Sequence, residues 1–247
     1  MELILWIIII AFLFETMDSA AGMGFGTGLS PLLLTFGYSP LQVVPVLLIS
    51  EAITGVTDAV FDHELKNVHY SFRPLNDTTK VSFIIAGSGV GAITISVILA
   101  YYAIQFPSYV IKSYVAILMS TDYNPKALIA FSALAGFNKG IGGGGYGPIV
   151  TLGQIYSGIY EKSATAIVSF AEGLVSIAGI FVFFFISYIG INIDLILLPS
   201  IFTGGFLAAI VAPYIVRVFP NKIWKFIIPV YACGMGIFLL LELIFKF

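Results

Sequence analysis

The side chains able to do chemistry in this chain are few, and they sit in unusual company. Lys139 lies in the run from Ala135 to Gln154, which carries seven glycines between Gly136 and Gly147, four of them consecutive at Gly142, Gly143, Gly144 and Gly145. Glycine loses more backbone freedom on ordering than any other residue, so neither helix nor strand is expected through that density. Apolar chain flanks the run on both sides. A backbone break in an apolar setting survives only where protein or a wet cavity satisfies its amides. Successive glycine amides form a concave nest for an anion, and a helix starting near Tyr146 or Pro148 adds its positive end. Lys139 brings a full charge, and Asn138, Thr151 and Gln154 offer side-chain donors. The expected chemistry is the binding of a small anion. The plain alternatives are close helix packing through small residues and a lysine that snorkels to an interface. Packing alone does not require four consecutive glycines or a lysine.

A second run has the same character. Gly22, Gly24, Gly26 and Gly28 alternate, and Ser30-Pro31 opens a short helix, with Thr27 and Ser30 as donors. Glu15, Asp18, Glu51, Asp58 and Glu172 lie in or beside apolar segments. An ionised carboxylate in a membrane is costly, so such a group is paired, protonated or facing water. Glu51 and Glu172 follow the two glycine runs at matching places, which makes them candidates for proton coupling, with Asp18 as a third. The alternative is that one of them pairs with Lys139 and stabilises the fold, while Glu15 and Asp58 lie at an interface.

Composition decides what kind of element positions these groups. Of the 247 residues, 59% are hydrophobic and 10% charged, with a mean hydropathy of +1.04. Globular chains carry roughly 25% charged residues, so this chain reads as an integral membrane protein in contact with the lipid bilayer. Its net charge of −2 and the lack of a basic tract give no support to a nucleic-acid partner. Cys233 is the one cysteine, so an intrachain disulfide is excluded. His63 and His69 fall in a charged loop and are not expected to form a ligand set. No catalytic set and no cofactor motif is found, so an enzyme is not expected. The apolar stretch Leu3 to Phe14 has no Lys or Arg before it and is interrupted by Glu15 and Asp18, so cleavage as a signal peptide is not expected.

Apolar segments run from Leu3 to Met17, Phe25 to Phe36, Leu41 to Phe61, Val81 to Ile104, Pro107 to Met119, Ala127 to Phe137, Tyr146 to Ile159, Ala164 to Ile189, Leu195 to Val216 and Ile223 to Phe245. A helical span needs about 20 residues. The third, fourth, eighth, ninth and tenth are long enough. The fifth is short and is extended at an interface by Tyr109, Lys112 and Tyr114. The first and second, and the sixth and seventh, are short pairs parted by the glycine runs. Break, proline, short helix, then a long helix with one glutamate: the order repeats, with Glu51 20 residues after Pro31 and Glu172 24 after Pro148. The expected fold is an all-α polytopic membrane protein of two inverted repeats, residues 1–120 and 121–247. Each repeat is a glycine-broken hairpin followed by three transmembrane helices. Pro45, Pro199, Pro213 and Pro229 are expected to interrupt long helices.

Charge supports that topology. If each short pair is a hairpin with its tip inside the membrane, then Lys66, Arg73, Lys80, Lys126, Lys162, Arg217, Lys222 and Lys225 share one side. Positive loops face the cytoplasm, so both termini are expected outside. Two glycine tips entering from opposite faces would meet near the midplane, where transporters with inverted repeats hold substrate. A channel built on the same broken hairpins is the alternative. A homo-oligomer is compatible with the sequence.

The two breaks, Gly22-Met-Gly-Phe-Gly-Thr-Gly-Leu-Ser-Pro31 and Gly140-Ile-Gly-Gly-Gly-Gly-Tyr-Gly-Pro148, resemble those of the sulfite exporter TauE/SafE family of membrane permeases, across nearly the whole chain. The resemblance implies a multi-pass permease of the cell membrane that moves sulfite, organosulfonates or related small anions, outward and coupled to protons. In this family the first break is typically richer in consecutive glycines; here Met23, Phe25 and Thr27 alternate with them.

Overall fold

The computed structural model describes residues 3–22, 24–101, 125–156, 158–159, 161–190 and 192–220, with single positions from 222 to 237 beyond them. The fifth apolar segment, most of the tenth, Cys233 and Pro229 lie outside the described residues. The described chain is helical, with one isolated bridge between Phe72 and Leu75. Helix α1 is Leu5–Ala21, followed by a π-helical turn Phe25–Leu29 and α2, Ser30–Thr35. Then come α3 (Pro40–Glu64), α4 (Asp77–Tyr101), α5 (Pro125–Gly142), α6 (Tyr146–Tyr156), α7 (Glu161–Tyr188) and α8 (Leu198–Val218). Four of these, α3, α4, α7 and α8, are long and apolar enough to cross a membrane. At 1.5 Å per residue, α1 and α5 reach about 26 Å, just short of a ~30 Å hydrocarbon core.

Proline starts helices here more often than it breaks them. Pro31, Pro40 and Pro199 occupy the first turn of α2, α3 and α8, where the missing N–H costs nothing. Pro199 was expected to interrupt a helix; it opens one instead. Pro45 and Pro213 do lie inside α3 and α8. The carbonyl of Pro213 accepts a hydrogen bond from Asn67 at 2.8 Å.

Helix α3 is the axis of the molecule. Its Val44 and Leu48 face an apolar core shared with Ile85 and Ile93 of α4, Val150 of α6 and Val168 and Val175 of α7. Its Val43 and Leu47 face a second core made with Ile7, Phe25, Leu29, Leu33 and Ile201. Further along, Ser50, Glu51, Thr54 and Asp58 are all buried. Outward-facing apolar side chains such as Leu5, Ile9, Leu13, Phe181, Phe184, Phe185 and Leu207 form the surface that lipid would cover. Within that aromatic run Phe183 turns inward.

Lipid offers no hydrophobic drive between helices, so close approach of backbones has to supply contact. Glycines provide it. Gly55 of α3 packs on Ser169 and Gly173 of α7; Gly136 of α5 packs on Gly89 of α4; Gly204 of α8 packs on Ile8 and Ala11 of α1. These contacts also fix direction. Helix α5 runs alongside α4, Gly136 against Gly89 and Gly140 against Ile93 and Ser96. Helix α1 runs alongside α8, with Ile4 N–H bonded to Ser200 at one end and Ala20 and Ala21 beside Val216 at the other. One end of the bundle joins Ile4 to Ser200 and Gln42 to Asp194. The opposite end joins Arg217 to Leu65, Lys162 to Arg217 and Tyr70 to Ala166. His63 belongs to the last turn of α3 rather than to the loop, and its ring stacks on His69 at 5.2 Å.

Candidate functional site

Helix α1 stops at Gly22, whose left-handed φ of 70° closes its last turn through a bond to the Asp18 carbonyl. Helix α5 stops in the same way: Gly143, at φ 73°, bonds to the Lys139 carbonyl at 2.8 Å. Two residues on, Gly24 and Gly145 also take positive φ. The two turns are thus built on one plan. The second break is shorter than the glycine density implied. Gly136 and Gly140 stay in the helix, because they serve as contact points on α4. Lys139 therefore sits in the last turn of α5 and not in the break.

The two breaks meet. A Cβ on Gly144 would collide with the backbone of Gly26 and Thr27, and one on Gly26 would collide with the Gly143 carbonyl. Side chains stitch the contact. Gly145 N–H donates to Thr27 Oγ1 at 3.1 Å. Ser30 Oγ donates to the Gly142 carbonyl. Thr151 Oγ1 donates to the Gly22 carbonyl at 3.0 Å, and Asn138 Nδ2 to the Gly144 carbonyl at 3.2 Å. Thr27, Ser30 and Asn138, picked out from sequence as anion ligands, are here engaged with backbone of the two breaks. Gly24 and Gly26 lie at or inside the first turn, and Gly142, Gly143, Gly144 and Gly145 form the second. Gln154 lies apart, with long contacts to Val150 and Ala164 carbonyls at 3.4 Å.

Beneath this contact lies Lys139, fully buried. Its Nζ donates to Glu51 Oε2 at 2.5 Å and to Glu172 Oε1 at 2.6 Å. The Tyr146 ring lies 5.8 Å away. Ser176 approaches Glu51 Oε2 at 3.4 Å. Glu51 Oε1 and Glu172 Oε2 are buried with no protein partner. The former points to the first break: a Cβ on Gly26 would stand 2.9 Å from it. Charges from three helices, α3, α5 and α7, thus converge under the two glycine turns.

A wider acidic neighbourhood surrounds the triad. Asp18 Oδ1 accepts the N–H of Phe25 at 3.2 Å, holding the π-helical turn to α1. Asp58 accepts a short hydrogen bond from Ser19. Glu15 is buried within electrostatic reach of Asp58, Glu51 and Glu172. Sequence reasoning placed Glu51 and Glu172 but did not foresee that both would share one lysine, nor the Ser19–Asp58 pair. Among the described residues no group of His, Cys, Asp and Glu fits a metal ion.

Against known proteins, the family model described as sulfite exporter TauE/SafE matches residues 7–241. A curated relative from Bacillus subtilis (strain 168), the probable membrane transporter protein YtnM, is 24% identical over 233 residues, covering 85% of this chain and 73% of its own. No solved structure matches. Paired glycine turns in an all-helical membrane chain and a family match over nearly its full length agree: this is a membrane transport protein, and the chain belongs to the TauE/SafE sulfite exporter family.

Proposed function

We propose that the protein is a secondary transporter exporting a small sulfur-containing anion, such as sulfite or an organosulfonate, with coupling to protons. The observation that carries this reading is the meeting of the two glycine turns directly above the Lys139–Glu51–Glu172 triad. The match to a sulfite exporter family supports the substrate class. The anion would sit between the turns, in place of the contacts that now close them. Amides of Gly24, Gly26, Gly142, Gly143, Gly144 and Gly145 and the side chains of Thr27, Ser30 and Asn138 would hold its oxygens. Lys139 would supply the charge. Glu51, Glu172 and Asp18 would handle protons. Alternating access would come from the half 1–120 rocking on the half 121–247 as inverted repeats, with the termini outside and the basic loops in the cytoplasm.

The test is efflux from proteoliposomes loaded with labelled sulfite. Saturable efflux is expected, and it should vanish in the variant carrying Lys139→Met with Glu51→Gln and Glu172→Gln, in which no buried charge is stranded. Efflux that persists in that variant removes the role of the triad. Flux that never saturates identifies a channel instead.

A further inference from the structure

We infer that the anion and a proton bind together and cross in the same direction, the proton being carried on the Glu51–Glu172 pair. This rests on the transport function proposed above and adds its coupling rule. Among the described buried residues Lys139 is the one base, set against Glu15, Asp18, Glu51, Asp58, Asp62 and Glu172. Both carboxylates nearest to it are in contact, at 2.5 and 2.6 Å. With both ionised, the triad carries a net charge of −1. An anion placed on the glycine turns would then face a negative cluster in a medium that screens poorly. One proton makes the triad neutral and leaves the lysine charge to be shared with the anion.

Geometry shows where that proton would go. Glu51 Oε1 and Glu172 Oε2 are buried, have no protein partner and are not the oxygens that hold Lys139. A proton on either leaves both lysine contacts in place. Glu51 Oε1 also faces Gly26, which in turn packs on Gly143 and Gly144. Protonated, it becomes an O–H donor aimed at the junction of the two turns, where the anion would lie. The surrounding acids push the same way. Helix α1 presents the acids Glu15 and Asp18 and α3 presents Asp58; against them, Ser176 of α7 favours the ionised Glu51 through its hydrogen bond, and the Tyr146 ring of α6 lies over the lysine charge. No second buried cation relieves the cluster among the described residues. Binding is reciprocal, so whatever proton uptake favours the anion, the anion favours the proton equally.

The consequence is a co-transporter rather than a proton–anion exchanger. For a monovalent anion with one proton, each cycle moves no net charge. Direction then follows the product of proton and anion concentrations on the two sides, and export runs whenever that product is higher inside.

The experiment uses the purified full chain in weakly buffered detergent with a pH indicator. Methanesulfonate is the probe, because it does not titrate in the neutral range as sulfite does. The expected result is uptake of about one proton per methanesulfonate bound, with affinity rising about tenfold for each unit fall in pH while the pair is ionised. Glu51→Gln should lower the uptake and flatten the pH dependence. Binding without proton uptake, or with proton release and weaker affinity at low pH, overturns the inference and leaves an anion transporter of another mechanism. Absence of methanesulfonate binding at every pH, together with absent saturable sulfite efflux, overturns the inference and the proposed function together. Absence of binding beside intact saturable sulfite efflux overturns only the inference.

Discussion

The carbonyl oxygen of Gly26 lies 2.1 Å from where a Cβ on Gly144 would stand. The two residues belong to different halves of the chain, and neither position has room for any side chain. This contact joins the π-helical turn after α1 to the turn after α5. It also covers the free oxygen of Glu51.

Gly144→Ala therefore forces backbone apart at the junction. Overpacking of this kind costs about 1–3 kcal/mol. Gly142, two residues earlier, is a matched control: a Cβ there meets nothing within 4 Å, and its φ is unremarkable for a side chain. Gly142→Ala should be neutral or stabilising by up to about 1 kcal/mol, since it ends a helix. Thermal unfolding of the two variants in the same detergent checks this. Equal melting temperatures would mean the turns are not in contact.

Lys139 is the second point of leverage. Lys139→Met strands two carboxylates, Glu51 and Glu172, in a buried site. Breaking a buried ion pair by removing one partner costs about 3–5 kcal/mol, whereas removing all its charges is often close to neutral. The single variant should therefore unfold far earlier than the wild type. Adding Glu51→Gln and Glu172→Gln should restore most of the loss. A triple variant no more stable than the single one would show that the triad does not act as a unit.

Much of this was legible in the chain before its structure. The apolar composition dictated membrane helices, and the two glycine runs marked both turns. Glu51 and Glu172 stood out because each is the one glutamate in a long apolar segment, Leu41 to Phe61 and Ala164 to Ile189. What was hidden depended on contacts across the fold. Lys139 meets partners 88 and 33 residues away in sequence, and no local pattern encodes that meeting. The extent of the second break was misjudged for a similar reason. Gly136 and Gly140 look like helix breakers, but their lack of a side chain lets α5 lie against α4. Tertiary contact outweighed a propensity of about 1 kcal/mol per glycine. Prolines behaved likewise: Pro199 and Pro45 are the same residue type, and only position separates a helix start from a helix interior.

Tyr70, in the loop between α3 and α4, gives a prediction about pH. Its hydroxyl donates to the Ala166 carbonyl at 2.9 Å, and its side chain is buried. Burial, aided by the nearby acid Asp62, holds the phenol well above its ordinary value of 10.0. The neutral form is thus favoured in the folded chain, while the unfolded chain ionises at the ordinary value. Stability from this group is fully present below about pH 10 and is lost as pH rises beyond it. Melting temperature should fall more steeply above pH 10 in the wild type than in Tyr70→Phe. Below pH 10 the variant should lose about 1 kcal/mol with the hydrogen bond. Parallel pH curves for the two proteins would refute the role of the phenol.

The last prediction concerns sidedness. Hydrogen bonds tie Ile4, Gln42, Asp194 and Ser200 at one end of the bundle, and Leu65, Asn67, Lys162, Pro213 and Arg217 at the other. Locating one residue at each end therefore orients every described helix. The second end carries the basic loops, which positive-inside bias assigns to the cytoplasm. In a Cys233→Ser background, Asn192→Cys should react with a membrane-impermeant maleimide on intact cells. Asp77→Cys, whose side chain is 97% exposed in the parent residue, should react only after the membrane is opened. The reverse pattern would invert the orientation. Labelling of both sites in intact cells would mean that α3 and α4 do not separate the two ends across a bilayer. Helix α5 runs alongside α4 from the basic end, and α1 starts at the other end beside Ser200, so the same experiment tells from which side of the membrane each glycine-broken hairpin enters.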